Sequence, residues 1–152
     1  MLLNLALTHS NGGNYKIAGQ ILSQTPIAQV INNLLFSHDQ IDLNLLEVVI
    51  ELAANLVKAK KYLTEDLAIL LIQPLKIAVK SSQRSLIING LEGLTKIADN
   101  CANLIPDIAK DEMLDQIINK MMEKDRLIHM PAHSCWVMMT VTNCNEIVDH
   151  FI

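Results

Sequence analysis

"DLNLLEVVIELAAN", Asp42 to Asn55, and "IINGLEGLTKIADN", Ile87 to Asn100, decide how this chain is read. Superimposed at an offset of 45 residues, they place Leu43 on Ile88, Asn44 on Asn89, Leu46 on Leu91, Glu47 on Glu92, Val49 on Leu94, Leu52 on Ile97, Ala53 on Ala98 and Asn55 on Asn100. Ile41 falls on Leu86 just ahead of them. Both stretches repeat apolar residues at steps of three and four, the spacing of one helix face. The first predicts a helix from about Gln40 to Val57, buried through Ile41, Leu45, Leu46, Val49, Leu52 and Ala53. The second predicts a helix from about Gln83 to Asp99. A further step of 45 sets Trp136 on Leu91, Met139 on Leu94 and Thr142 on Ile97, a weaker third copy.

Composition agrees with a helical chain. Of 152 residues 51% are hydrophobic but only 3% aromatic, so Leu, Ile, Val, Ala and seven Met carry the apolar volume. That mixture suits helix-on-helix packing better than a β-sandwich. A chain this long buries roughly 70% of its unfolded surface in one unit. One all-α domain spanning residues 1–152 is expected.

The punctuation between helices is regular. "NGGN" at Asn11–Asn14 ends a first stretch, because two glycines offer the left-handed conformations of a helix stop. A short helix from about Tyr15 to Leu22 follows. Thr25 reads as an N-cap with Pro26 at the first helical position of a helix to about Phe36, which "SHD" breaks. Thr64, followed by Glu65 and Asp66, opens the next helix. Pro74 should kink or restart it, and "KSSQR" ends it near Val79. Asp111 reads as the cap of a helix to about Met122, "EKDR" as a turn, and Pro131 as the start of a last long helix.

The period of 45, with two or three helices per unit, lies in the armadillo/HEAT range. The expected fold is an all-α, armadillo/HEAT-like right-handed α-solenoid of about three repeats, 11–57, 58–101 and 102–152, with 1–10 the tail of a preceding repeat. Stacked units bury one another, and terminal units need polar outer faces. The apolar helices at both ends of this chain lack such faces. The expectation is a piece of a longer solenoid, or one whose ends a partner covers.

A net charge of −4 and a pI near 5.7 give no general attraction to phosphates. Two local clusters are candidate phosphate contacts: Lys58, Lys60 and Lys61, and Lys76, Lys80 and Arg84 at helical spacing. Three cysteines, Cys101, Cys135 and Cys144, are an odd number without a secretory framework and imply free thiols in a reducing compartment. "MLLNLAL" lacks the basic start and cleavage site of a signal peptide. Charged residues interrupt every long apolar stretch, so an intracellular protein without a membrane partner is expected.

Candidate chemistry is sparse. "HMPAHSCW" offers His129, His133 and Cys135, with Cys144 and His150 beyond, but no metal-knuckle spacing, and a helix beginning at Pro131 need not put the two histidines on one face. Cys135 near His133 could form a thiolate pair, yet a cysteine in an apolar helix usually behaves as a small hydrophobe. Cys135, Trp136 and Met139 are expected to pack inward. No phosphate loop is present, and neither a catalytic residue, a metal site nor a cofactor is expected. Met121, Met122, Met130, Met138 and Met139 read as core filling or an adaptable partner surface. In importin-like armadillo proteins a Trp and an Asn four residues apart on each long helix bind an extended peptide. The matching positions here are Glu47 and Glu51, Glu92 and Lys96, and Val137 and Val141, so that ladder is not carried over. Glu47, Glu51, Glu92 and Lys96 are instead the candidate partner-binding face.

The stretch from Leu91 to Asn143 resembles the armadillo-type region of the AT-rich-interaction-domain subunit of PBAF/RSC-class SWI/SNF chromatin remodellers. Leu91, Glu92, Leu94 and Ile97 match that family's "LEILGNL"-like helix, and Trp136, Met139 and Thr142 its "LEVLYMLT"-like end; "LLEVVIELAAN" resembles its "LTTLGNIAAE" helix. The resemblance covers the chain from about Asp42 and leaves out that family's DNA-binding domain and zinc fingers. It implies a non-enzymatic scaffold that docks other protein subunits of a nuclear complex. Two alternatives are a generic armadillo adaptor of a cytoplasmic complex, and a helical domain touching nucleic-acid phosphates through the local basic strip.

Overall fold

A computed structural model describes residues 16–37 and 42–141. They form eight α-helices and, among the described residues, no strand: α1 (Lys16–Gln24), α2 (Ile27–Ser37), α3 (Leu43–Leu56), α4 (Glu65–Val79), α5 (Arg84–Asn100), α6 (Ile105–Ala109), α7 (Met113–Met121) and α8 (Arg126–Val141). A 3-10 turn, Ala102–Leu104, leads into α6. Ile41, Cys144, His150, Thr142 and the apolar start of the chain lie outside the described residues. One apolar core runs from Ala18 to Met139. Helix α5 is its centre, packed against α3, α4 and α8, while α2 lies on α4 and α7 on α8.

Local signals set several boundaries. The Thr64 hydroxyl accepts the Leu67 amide at 3.4 Å, and Glu65 and Asp66 fill the first turn of α4 as expected. That helix then passes through Pro74 without restarting. The proline has no amide for the Leu70 carbonyl, but it is buried amid Leu71, Ile72 and Leu75, and packing carries the helix across the lost bond. In α3 the buried side is Val49, Ile50, Ala53, Ala54 and Leu56, whereas Leu45 is 46% exposed and Leu46 and Leu52 half-buried. The stripe is rotated from its expected position because more than one helix packs on α3.

Three other expectations are corrected by contacts made elsewhere. Thr25 does not cap α2; its hydroxyl donates backwards to the Ile21 carbonyl at 2.6 Å, closing α1. Asp111 does not cap α7, which starts at Met113 behind Glu112. Asp111 and Glu112 both have φ of 61°, a left-handed pair rare outside glycine. The Asp111 carboxylate is drawn to Lys76 at 3.2 Å, and Lys76 also donates to the Asp107 and Lys110 carbonyls, the latter at 3.2 Å. Helix α8 begins not at Pro131 but at Arg126. Asp125 caps it, accepting the Leu127 amide at 3.0 Å, so Pro131 lies inside the helix.

Helices α3, α5 and α8, which carry the superimposed stretches, start at intervals shorter than the sequence offset of 45. Helix α3 starts at Leu43, α5 at Arg84 and α8 at Arg126, so successive starts are 41 and 42 residues apart. An offset of 41 carries buried Ile87, Leu91, Leu94 and Ala98 onto buried Ile128, Ala132, Cys135 and Met139. It also carries Val49, Ile50, Ala53 and Leu56 onto buried Gly90, Leu91, Leu94 and Ile97. The offset of 45 differs by four residues, about one turn, and an apolar stripe shifted by one turn lies nearly on itself. Arg84 against Asp125 and Thr95 against Cys135 show α5 and α8 running in the same direction.

Candidate functional site

Between α5 and α8 the chain leaves an open groove of about 390 Å³ lined by Lys58, Glu92, Thr95, Lys96, Met130, Pro131 and Ser134. Each wall follows from the packing. The outer face of α5 presents Glu92 and Lys96 one turn apart, while Leu91, Leu94 and Ala98 point into the core. Helix α8 buries Ile128, Ala132, Cys135 and Met139 and leaves Leu127, Met130, Val137 and Val141 exposed. Lys58 enters from the turn after α3.

The Lys58 ammonium donates to the Asn55 carboxamide oxygen at 3.3 Å. Thr95 donates its hydroxyl to the Leu91 carbonyl at 2.7 Å, and Ser134 donates to Met130 at 3.1 Å, so both leave lone pairs rather than protons for a ligand. Cys135 lies fully buried in α8. Burial pushes its thiol up to about 12, only partly opposed by a hydrogen bond with Thr95. At neutral pH it is a thiol and a core residue, and His133 stands on the exposed side of the helix, away from it. Cys101 is also a buried free thiol, pushed up by burial and then by the nearby Glu65 charge.

The other residues singled out by sequence are distributed as follows. Glu92 and Lys96 meet in the groove; Glu47 accepts a hydrogen bond from Ser85 at the start of α5, and Glu51 is half-buried on α3. Of the basic residues, Lys60 and Lys61 are exposed after α3. Lys76 is buried with its ammonium engaged by Asp107, Lys110 and Asp111, and burial lowers its proton affinity despite the Asp111 charge. Lys80 donates to the Asp111 carbonyl at 3.0 Å, and Arg84 holds Asp125 through Nε at 2.6 Å and a second nitrogen at 2.9 Å. Lys76, Lys80 and Arg84 thus tie α4 and α5 to the segments around α7. His129 and His133 do share a face of α8, with ring centroids 5.6 Å apart and edge-to-face, because the helix starts before Pro131. Among the described residues no group of three metal-ligating side chains converges. The methionines divide: Met139 is buried, Met121 and Met138 half-buried, Met122 and Met130 exposed. Thr95, Ser134 and Pro131 were not legible as groove residues, since a lone hydroxyl or proline carries no sequence signal until two helices are placed side by side.

The chain matches no known protein family, no curated protein and no solved structure. None of the described helices is long and apolar enough to cross a membrane.

Proposed function

We propose that this protein is a non-enzymatic interaction scaffold built from stacked helical pairs. The observation that carries the reading is the row α3, α5 and α8, advancing by about 41 residues per step with matched burial, within the period of HEAT and armadillo units. In the proposed units α4 precedes and packs on α5 and α7 precedes and packs on α8, while α2 precedes α3 but lies mainly on α4. Stacked units of this kind present a long preformed surface, and α8 offers an exposed apolar strip of Leu127, Met130, Val137 and Val141 on such a surface. The thiol state of Cys135 favours a binding role over a nucleophilic one. Lys76 and Arg84 are committed to Asp111 and Asp125, which favours protein partners over phosphates.

Within this reading, the resemblance of the stretch from Leu91 to Asn143 points to a subunit or fragment of a nuclear chromatin-remodelling complex. Affinity purification of the tagged chain from nuclear and cytoplasmic extracts, followed by mass spectrometry, tests both levels. Remodeller subunits recovered at fixed stoichiometry support the full proposal. Stable cytoplasmic partners would leave a generic adaptor and remove the chromatin assignment. Absence of any stoichiometric partner would overturn the scaffold.

A further inference from the structure

The α5–α8 groove contains hydrogen-bond donors that the described residues leave without acceptors. An ammonium has three protons to donate. Lys58 has one acceptor, the Asn55 oxygen at 3.3 Å, and neither Lys58 nor Lys96 pairs with a carboxylate among the described residues. Asn55 adds an independent sign. It is only 6% exposed, and because an ammonium can only donate, the amide oxygen must face Lys58. That fixes the amide, and its Nδ2 is left buried with no acceptor among the described residues. Such a donor is costly, and buried polar groups are ordinarily satisfied. Here it belongs to the side chain that holds a groove-lining lysine in place.

We infer that this groove docks a segment of a partner protein that brings a carboxylate to Lys58 and Lys96 and seats a neighbouring aliphatic side chain against Met130 and Pro131. The inference rests on the scaffold reading and names the partner's chemistry. Two ammoniums against the single carboxylate of Glu92 make the groove locally positive in a chain of net charge −4. A single carboxylate would be drawn by two ammoniums and repelled by one carboxylate, a net attraction. A run of phosphates would meet Glu92 as well, and the apolar wall of Met130 and Pro131 gives a sugar-phosphate backbone nothing to bind.

The test uses the full chain, 15N-labelled, titrated with a short peptide in which two aspartates flank a leucine, and with its counterpart carrying asparagines. The expected result is saturable shifts at the Lys58, Thr95, Lys96 and Ser134 amides with the acidic peptide. Binding should be about ten-fold or more weaker for the asparagine peptide and for the Lys58→Gln, Lys96→Gln double variant, checked to melt like the parent. Equal binding of both peptides, shifts confined to other surfaces, or displacement by a single-stranded oligonucleotide with steep salt dependence would overturn the proposal. Partner capture with the same double variant separates the two levels. If parent and variant recover the same partners equally, the groove proposal fails and the scaffold stands; if the parent recovers none, the scaffold itself fails.

Discussion

Gly90 lies where α5 crosses α4, and replacing it by alanine sets two opposing effects against each other. A Cβ built there would sit 2.8 Å from the Leu75 carbonyl oxygen and 2.9 Å from both the Val79 amide nitrogen and its Cγ2. In an isolated helix the change would stabilise by about 1 kcal/mol, since glycine is the poorer helix former. Against this, two of the three clashing atoms are backbone of a buried helix and can yield only if α4 and α5 move apart. Overpacking of that kind costs about 1–3 kcal/mol, and the rigid wall places it at the upper end. The expected net loss for Gly90→Ala is about 1–2 kcal/mol. Gly93→Ala is the internal control. Its Cβ would meet the Leu75 side chain, at 2.6 Å from Cδ2, and a side chain can turn where a backbone cannot. There the two effects should nearly cancel, within about 1 kcal/mol. Urea unfolding followed by circular dichroism at fixed temperature gives both free energies. A Gly90→Ala protein as stable as the parent, or a larger loss at Gly93 than at Gly90, would refute the close-crossing geometry.

Other substitutions probe the remaining supports. Lys76→Met leaves the Asp107 and Lys110 carbonyls without their donor and should cost about 1–3 kcal/mol in the same urea assay; no loss would mean the lysine is not holding the left-handed turn. Asp125→Ala removes the cap of α8 together with the Arg84 contact, and a loss of about 1–2 kcal/mol is expected, against well under 1 kcal/mol for Arg84→Met, whose pair is exposed. Hydrogen bonds from Lys76 and Arg84 hold the Asp111 and Asp125 carboxyls below their ordinary value of 3.8. Their stabilisation is therefore present above that value and lost as pH falls through the depressed ones. Thermal melts should weaken below about pH 4, and less steeply in Asp111→Asn, Asp125→Asn protein; identical acid slopes would dismiss both contacts. Cys135 should resist a thiol reagent at pH 8 and react only as fast as the chain opens, which peptide mapping of labelled protein under native and denaturing conditions will show.

Sequence revealed most where the physics is local. Thr64 with two acids behind it marks a helix start whatever the rest of the chain does, and the structure places the cap there. The apolar stripes of α3 and α5 disclosed two helices but not the spacing of their starts, because a stripe and its copy one turn away look alike. Asp111 was misread for a different reason: a carboxylate near a helix start looks like a cap until a lysine 35 residues earlier claims it. At α8 a conspicuous proline obscured the aspartate that caps the helix six residues before it. In the groove, Lys58 and Lys96 stood in separate charge groups, and Asn55 appeared only as a letter shared with Asn100 when the two stretches are superimposed. Their association depends on the turn after α3 reaching across to α5, which no window of sequence contains.

The common direction of the long helices has an electrostatic consequence. Peptide dipoles add along a helix, leaving partial positive charge at its start and partial negative charge at its end. Glu47 against Ser85 near the helix starts, with Lys58 and Lys96 sharing a groove farther along, sets α3 in the same sense as α5, and α5 runs with α8. The starts of α3, α5 and α8 therefore lie on one side, where Asp42 and Asp125 stand as the residues before α3 and α8, while α4 runs the opposite way and its start at Glu65 reaches Asn103, just past the end of α5. At the other end of α3 stand Lys58, Lys60 and Lys61. Asp42, Asp125 and the lysines after α3 thus offset the backbone's own field at those termini, whereas Arg84 at the start of α5 adds to it. A partner approaching the end of α3 therefore meets less potential than Lys58, Lys60 and Lys61 alone would project.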